Sequence, residues 1–101
     1  MTYGLVTKFL ALPGERNALA DCLLTAARQL AADPGCVHYV VATSAEPEAV
    51  WVTEVWTDRA AHDASLDSPQ ARAFIEQGRR LIAGVAEQTP LAVLGGVGLP
   101  D

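Results

Sequence analysis

The sequence predicts an α+β fold in which two helices pack on one face of a four-stranded antiparallel sheet. Three observations support it: period-two alternation in four segments, apolar residues at spacings of three and four in two others, and turn residues between them. The length of 101 residues suits a single domain over residues 1–101. The order strand-helix-strand-strand-helix-strand is that of the split βαβ, or ferredoxin-like βαββαβ, arrangement.

The first half of the chain predicts a strand, a helix and a second strand. Residues 3–12 alternate, and residues 15–32 place apolar side chains along one helical stripe. Pro34 and Gly35 end this helix, because proline cannot continue a helix and glycine accepts the left-handed backbone of a helix end. Residues 36–43 then alternate as the second strand.

The second half adds two strands and a second main helix. Ser68 followed by Pro69 is a helix-start signal, with the serine as N-cap and the proline at the first helical position. Gly84 is expected to end that helix. The remaining segments are a polar turn over 44–49, a strand over 50–57, a short helix over 58–64, a last strand over 87–94 and a flexible tail over about 95–101.

Both faces of the predicted sheet carry apolar residues. Two helices can cover only one face, and the other would be an apolar patch too large for a monomer. Packing two such sheets face to face in a two-fold homodimer would cover it. We therefore expect a homodimer.

Composition excludes several classes of function. The net charge of −5 argues against nucleic acid and anionic membranes as partners, and no apolar run approaches the roughly 20 residues that span a bilayer. A signal peptide has a basic region before its apolar residues, and this N-terminus has none, so we expect no signal peptide here. Cys22 and Cys36 are expected to be reduced, which favours a cytoplasmic location. No metal-ligand spacing, phosphate loop or nucleophile elbow is present.

An acid and an indole share one face of the strand over 50–57. Period-two alternation places Val50, Val52, Glu54 and Trp56 on the same side. A solvated strand face rarely carries tryptophan, and a pure core face rarely carries glutamate. This combination needs an explanation, and a functional site is one.

The motifs together resemble a known family. Pro34-Gly35-Cys36-x-x-Tyr39, then Glu54-x-Trp56, then the Ser68-Pro69 helix start, resemble the antibiotic biosynthesis monooxygenase domain of the dimeric α+β barrel superfamily. The resemblance implies a dimeric α+β barrel and a monooxygenase without cofactor, acting with molecular oxygen on an electron-rich aromatic such as a quinol or polycyclic phenol.

The chain departs from the family pattern at three positions. Many members carry histidines where this chain has Ser65 and Gln70, and the aromatic-polyketide oxygenases carry an asparagine where it has Val52. A histidine occurs one helical turn earlier, as His62. These departures leave two alternatives open: a ligand-binding or regulatory domain without catalysis, and an isomerase or lactone-processing enzyme on the same scaffold.

The candidate catalytic residues are His62, Glu54 and Trp56. An imidazole titrates near neutral pH, a carboxyl facing the helices would have a raised pKa, and an indole could stack on a planar ring or help to transfer an electron to oxygen. Each residue also has an interpretation without a catalytic role. His62 could be a solvated histidine, and Trp56 could be a core residue. Glu54 could pair with Arg72, Arg79 or Arg80. Tyr39, Trp56, Phe74 and Arg72 are expected to bind the substrate, with a half-buried Tyr39 and a core Phe74 as the alternatives.

Overall fold

A computed structural model describes residues 2–99 of the chain. The described part contains four strands and three helices. Their bounds are β1 Tyr3–Ala11, α1 Arg16–Leu30, β2 Cys36–Thr43, β3 Ala49–Trp56, α2 Arg59–Ser65, α3 Pro69–Arg79 and β4 Ile82–Ala92. The predicted ferredoxin-like arrangement is confirmed, with the short α2 between β3 and α3.

The four strands form one antiparallel sheet in the order β2-β3-β1-β4. Its inner face carries the predicted face of β3 together with the odd-numbered residues from Tyr3 to Phe9 in β1, because Tyr3 pairs with Trp56 and Leu5 with Glu54. A core of Ala11, Leu19 and Val50 closes one end of the space between this face and the helices.

The start of β4 was predicted five residues too late. The sequence pattern extends the second helix through Ile82 and ends it at Gly84, whereas α3 ends at Arg79 and β4 begins at Ile82. The register with β1 shifts twice, leaving Ala83 and Ala86 as extra residues on β4. Each such bulge breaks the period-two alternation by one residue, so the first half of β4 does not read as a strand.

Gly35 has a different role from the one predicted. Its φ is not among the positive glycine values. A Cβ built on Gly35 would instead lie 2.7 Å from the Ala61 side chain of α2. The glycine is therefore needed for close approach between the turn before β2 and α2.

Within residues 2–99, no helix covers the outer face of the sheet, which carries large apolar side chains. Val40 on β2 is 51% exposed and Leu91 on β4 is 46% exposed. Lys8 lies over the outward-facing Trp51 ring, with its Nζ 5.5 Å from the ring centroid. The described end of the tail lies close to this face, since His38 Nε2 is 3.3 Å from the Gly98 carbonyl oxygen. The predicted tail residues 100 and 101 lie outside the described residues.

No helix within residues 2–99 is long and apolar enough to cross a membrane.

Candidate active site

A large cavity lies between the inner face of the sheet and the three helices. Its volume is about 1020 Å³. Most of its wall is apolar, with aromatic side chains on the sheet and helices, and a few polar groups converge on it, as in small-molecule sites. The lining residues on which the argument depends are Tyr3, Thr7, Tyr39, Glu54, Trp56, His62, Ser65, Phe74 and Gln88.

The end of β3 supplies an indole and a carboxylate that contact each other. Trp56 is completely buried, and its Nε1–H donates to Glu54 Oε1 at 3.1 Å. The Glu54 side chain is only 11% exposed. Because the two residues are separated by one position on the same face, the strand itself brings the donor and the acceptor together.

Helix α2 brings His62 over this pair. Asp58 caps the helix, accepting from the Ala61 backbone N–H at 2.7 Å, so the helix starts at Arg59, three residues after the last residue of β3. His62 lies one turn further on. Its Nε2 is 3.9 Å from Glu54 Oε1, and its ring meets the Trp56 ring edge-on, with centroids 5.7 Å apart.

The position of α2 is fixed from the β2 side. The Thr57 backbone N–H donates to the Gly35 carbonyl at 2.9 Å, and Asp33 Oδ1 accepts from the Gly35 backbone N–H at 2.8 Å. The missing side chain at Gly35 lets Ala61 pack directly on the turn. The Pro34-Gly35 turn therefore helps to hold His62 in place.

Two further side chains surround His62. The Tyr3 ring centroid lies 5.4 Å from that of the imidazole, and Asp63 Oδ1 lies 2.9 Å from His62 Nδ1. The His62 side chain is 13% exposed, while Asp63 is 60% exposed. The imidazole thus lies between a buried carboxylate in the cavity and an exposed one at the surface.

Burial raises the pKa of two acidic groups that line the cavity. Desolvation raises the pKa of Glu54 above its ordinary 4.5, and the Trp56 hydrogen bond and the nearby His62 offset part of that rise. Tyr39 pairs with Glu54 across the strands, and desolvation, reinforced by the Glu54 charge, raises the pKa of its phenol well above its usual value. Glu54 is therefore a stronger base than an exposed glutamate.

The structure brings most of the predicted site residues together. His62, Glu54, Trp56, Tyr39 and Phe74 all line the cavity. None of the three arginines predicted as alternatives pairs with Glu54 among the described residues; its neighbours are Trp56 and His62. Arg79 pairs instead with Glu76, at 3.5 Å.

Two predicted roles do not fit the geometry. Arg72 is exposed and does not line the cavity, because α3 turns Ala71, Phe74 and Gly78 toward it. Trp56 has no exposed surface, and His62 meets its ring edge-on, so the indole does not offer a free face for stacking. What it does offer is the N–H that holds the Glu54 carboxylate.

Two of the three positions that depart from the family pattern lie at the cavity, and the third is in the core. Ser65 and Gln70 line the cavity, and Ser65 Oγ donates to the His62 carbonyl at 2.6 Å. Val52 is buried at 1% exposure and adds no polar group. Sequence reasoning overlooked Tyr3 and Asp63. Pairing β1 with β3 would have placed Tyr3 beside Trp56, whereas the sequence carries no signal for the Asp63 contact.

The two cysteines are free, and neither is activated. Burial raises the pKa of the Cys22 thiol. Burial, together with the charges of Asp33 and Glu54, raises the pKa of Cys36 to about 11. Both thiols are therefore protonated and weakly nucleophilic at neutral pH. Within residues 2–99, no three His, Cys, Asp and Glu side chains cluster so that they could hold a metal ion.

Comparison with known proteins identifies the family. The family model for antibiotic biosynthesis monooxygenase matches residues 2–77. A candidate antibiotic biosynthesis monooxygenase from Chloroflexus aurantiacus is 40% identical and superposes with a TM-score of 0.91, over 99% of this chain and 100% of that one. Rv0793 from Mycobacterium tuberculosis is 26% identical, with a TM-score of 0.83 over 96% and 99% of the two chains.

A more distant structure supports the fold alone. A candidate antibiotic biosynthesis monooxygenase from Caulobacter crescentus is 20% identical, with a TM-score of 0.84 over 93% of this chain and 91% of that one.

No curated protein sequence matches the chain. The family model covers about three quarters of the chain, and the Chloroflexus protein matches nearly all of it. The chain belongs to the antibiotic biosynthesis monooxygenase family.

Proposed function

We propose that the protein is a monooxygenase that needs no cofactor and oxidises an electron-rich aromatic, a quinol or polycyclic phenol, in the cavity. The observation that carries the proposal is the pairing of a buried carboxylate and an imidazole at the cavity wall, with Glu54 Oε1 3.9 Å from His62 Nε2. A phenol must lose a proton before it reduces oxygen, and these two groups are bases close to each other. Membership of the monooxygenase family supports the same reaction.

The spacing of the two bases suits one hydroxyl group. An oxygen placed to one side of the line between two atoms 3.9 Å apart can lie within about 2.8 Å of both. A phenolic hydroxyl can therefore contact Glu54 and His62 together while its ring extends into the apolar cavity. Tyr39 and Phe74 would contact the ring, in place of the buried Trp56.

The substrate supplies all the electrons in this reaction. Loss of the hydroxyl proton leaves the electron pair on the aromatic ring system, which then reduces dioxygen. One oxygen atom forms a new carbon–oxygen bond, and the other leaves as water with the two hydrogens lost from the substrate. The protein contributes binding, a base and exclusion of water.

We also propose that the active form is a cytoplasmic homodimer with the barrel arrangement of two sheets. The outer face, with exposed Val40 and Leu91 and the half-buried Trp51, needs a cover, and a second copy offers the same apolar surface. The total buried area is expected to exceed ~1,000 Å². A monodisperse monomer by light scattering at micromolar concentration would contradict this.

A binding domain without catalysis is the second candidate. The fully buried Val52 favours it, because it stands where related polyketide oxygenases have an asparagine and offers no hydrogen bond to a substrate. This candidate predicts saturable binding of planar aromatics without oxygen consumption.

The experiment is oxygen uptake with a panel of quinols and phenols, using protein freed of metal and flavin. We expect uptake by the wild type, a loss of roughly 10² or more in His62→Ala, and little change in ring binding. Glu54→Gln removes the other base, and Glu87→Gln makes the same change at an exposed carboxyl on β4 as its control. Binding without uptake for every compound would favour the binding domain.

A further inference from the structure

The proposed reaction does not yet account for the contact between His62 and Asp63. The two ring nitrogens of His62 face different carboxylates: Nδ1 is 2.9 Å from Asp63 Oδ1, and Nε2 is 3.9 Å from Glu54 Oε1. Only the first distance is a hydrogen bond. The two sides of the imidazole are therefore not equivalent.

The short contact determines which nitrogen carries the proton in the neutral ring. A carboxylate can only accept, so Nδ1 must be the donor to Asp63. The Nε2 lone pair then points toward Glu54 and the cavity. In the other tautomer two acceptors would face each other across 2.9 Å, which is unfavourable.

Neighbouring side chains hold this arrangement. Arg59, one turn before Asp63 on α2, has its Nε 3.8 Å from Asp63 Oδ2, which leaves Oδ1 for the histidine. The rings of Tyr3 and Trp56 pack against the imidazole at 5.4 and 5.7 Å and restrict its rotation. The charged groups close to His62 are thus Glu54 from β3 and Asp63 and Arg59 from α2.

We propose that Asp63 is a positioning residue, which fixes His62 with its proton on Nδ1 so that Nε2 is the base that receives the substrate's proton. This inference rests on the proposed monooxygenase function. In the step, the substrate O–H bond breaks, an Nε2–H bond forms, and the electron pair stays on the substrate oxygen. Asp63 and Glu54 then flank the resulting imidazolium on opposite sides, and His62 returns the proton to the oxygen atom that leaves as water.

The tautomer can be measured without any substrate. The chain has two histidines, so a His38→Gln background leaves a single imidazole in long-range nitrogen–proton NMR spectra. We expect a protonated Nδ1 and a bare Nε2 for the neutral His62. Asp63→Asn should shift the population toward the Nε2–H form, whereas Asp67→Asn, an exposed residue just after α2, should leave it unchanged.

Turnover provides the second measurement. On a substrate that the wild type oxidises, Asp63→Asn should lower kcat by roughly tenfold or more with little change in KM, and Asp67→Asn should match the wild type. Asp63 is exposed, so the fold should survive, which thermal unfolding checks. Asp63→Ala is a second variant, in which the side chain at position 63 cannot accept from His62 Nδ1–H.

Different results separate the two proposals. A wild-type His62 protonated on Nε2, or an unchanged tautomer in both Asp63 variants, would overturn the role of Asp63. If the wild type oxidises a quinol in that case, the proposed function stands and only the positioning role is lost. If no quinol is oxidised, the function fails, while the NMR result still decides whether Asp63 fixes the ring.

Discussion

Replacing Glu54 with glutamine should change how the stability of the protein depends on pH. The Glu54 side chain is 11% exposed, and desolvation raises its pKa above the ordinary value of 4.5. Between about pH 4.5 and its raised pKa in the folded state, Glu54 therefore holds a proton that the unfolded chain has released. Glutamine has nearly the same shape and keeps an oxygen that can accept from Trp56 Nε1–H.

The direction follows from linkage. A group whose pKa is higher in the folded state contributes stability that is fully present below its unfolded pKa and is lost as pH rises through the folded pKa. The wild type should therefore lose stability relative to Glu54→Gln as pH rises from about 4.5. Each unit by which folding raises the pKa corresponds to about 1.4 kcal/mol of lost stability.

Chemical denaturation across pH 4 to 8 measures the effect. The difference in unfolding free energy between the wild type and Glu54→Gln should grow with pH and level off above the folded pKa. The control Glu87→Gln should run parallel to the wild type, because that carboxyl is exposed. Parallel curves for Glu54→Gln and the wild type would refute the claim that burial raises the pKa of Glu54.

Three more substitutions test the supports of the site. Trp56→Phe removes the donor to Glu54 and should lower the unfolding free energy, measured by denaturation, by about 1.5–3 kcal/mol. Because that hydrogen bond lowers the pKa of Glu54, the pH-dependent loss of stability should move to higher pH, and an unchanged pH dependence would contradict this. Gly35→Ala should cost about 1–3 kcal/mol, because its Cβ would lie 2.7 Å from that of Ala61, and Ala61→Gly should restore most of the loss in a double-mutant cycle; additive effects would count against the contact. Val40→Lys should weaken self-association in sedimentation experiments while leaving the monomer folded, and unaltered association would place the interface elsewhere.

The strands that the sequence predicted well are those with regular alternation. The bounds of β2 were predicted correctly, and β3 begins and ends one residue earlier than expected. The N-cap at Ser68 is confirmed, since its side chain accepts from the Ala71 backbone N–H at 3.0 Å. Local signals sufficed in these places because tertiary contacts and local preference agree.

The misplaced parts depend on contacts that no local pattern contains. The bulges at Ala83 and Ala86 arise from pairing with β1. Because they interrupt the alternation, the sequence pattern of the first residues of β4 resembles the end of a helix. For the site, alternation alone placed Glu54 beside Trp56. The partners of His62 come from three elements, and its hydrogen bond to Asp63 depends on rotamers that spacing does not determine. Arg72 was misjudged because α3 rotates it away from the cavity.

The fate of labelled dioxygen shows whether the protein is a monooxygenase. The wild type is incubated with a quinol in isotopically labelled dioxygen and ordinary water, and the product is analysed by mass spectrometry. We expect one labelled oxygen atom per product molecule, the other labelled atom in water, and a lower rate in both His62→Ala and Glu54→Gln. A product without label, or a labelled product formed equally fast by both variants, would contradict it.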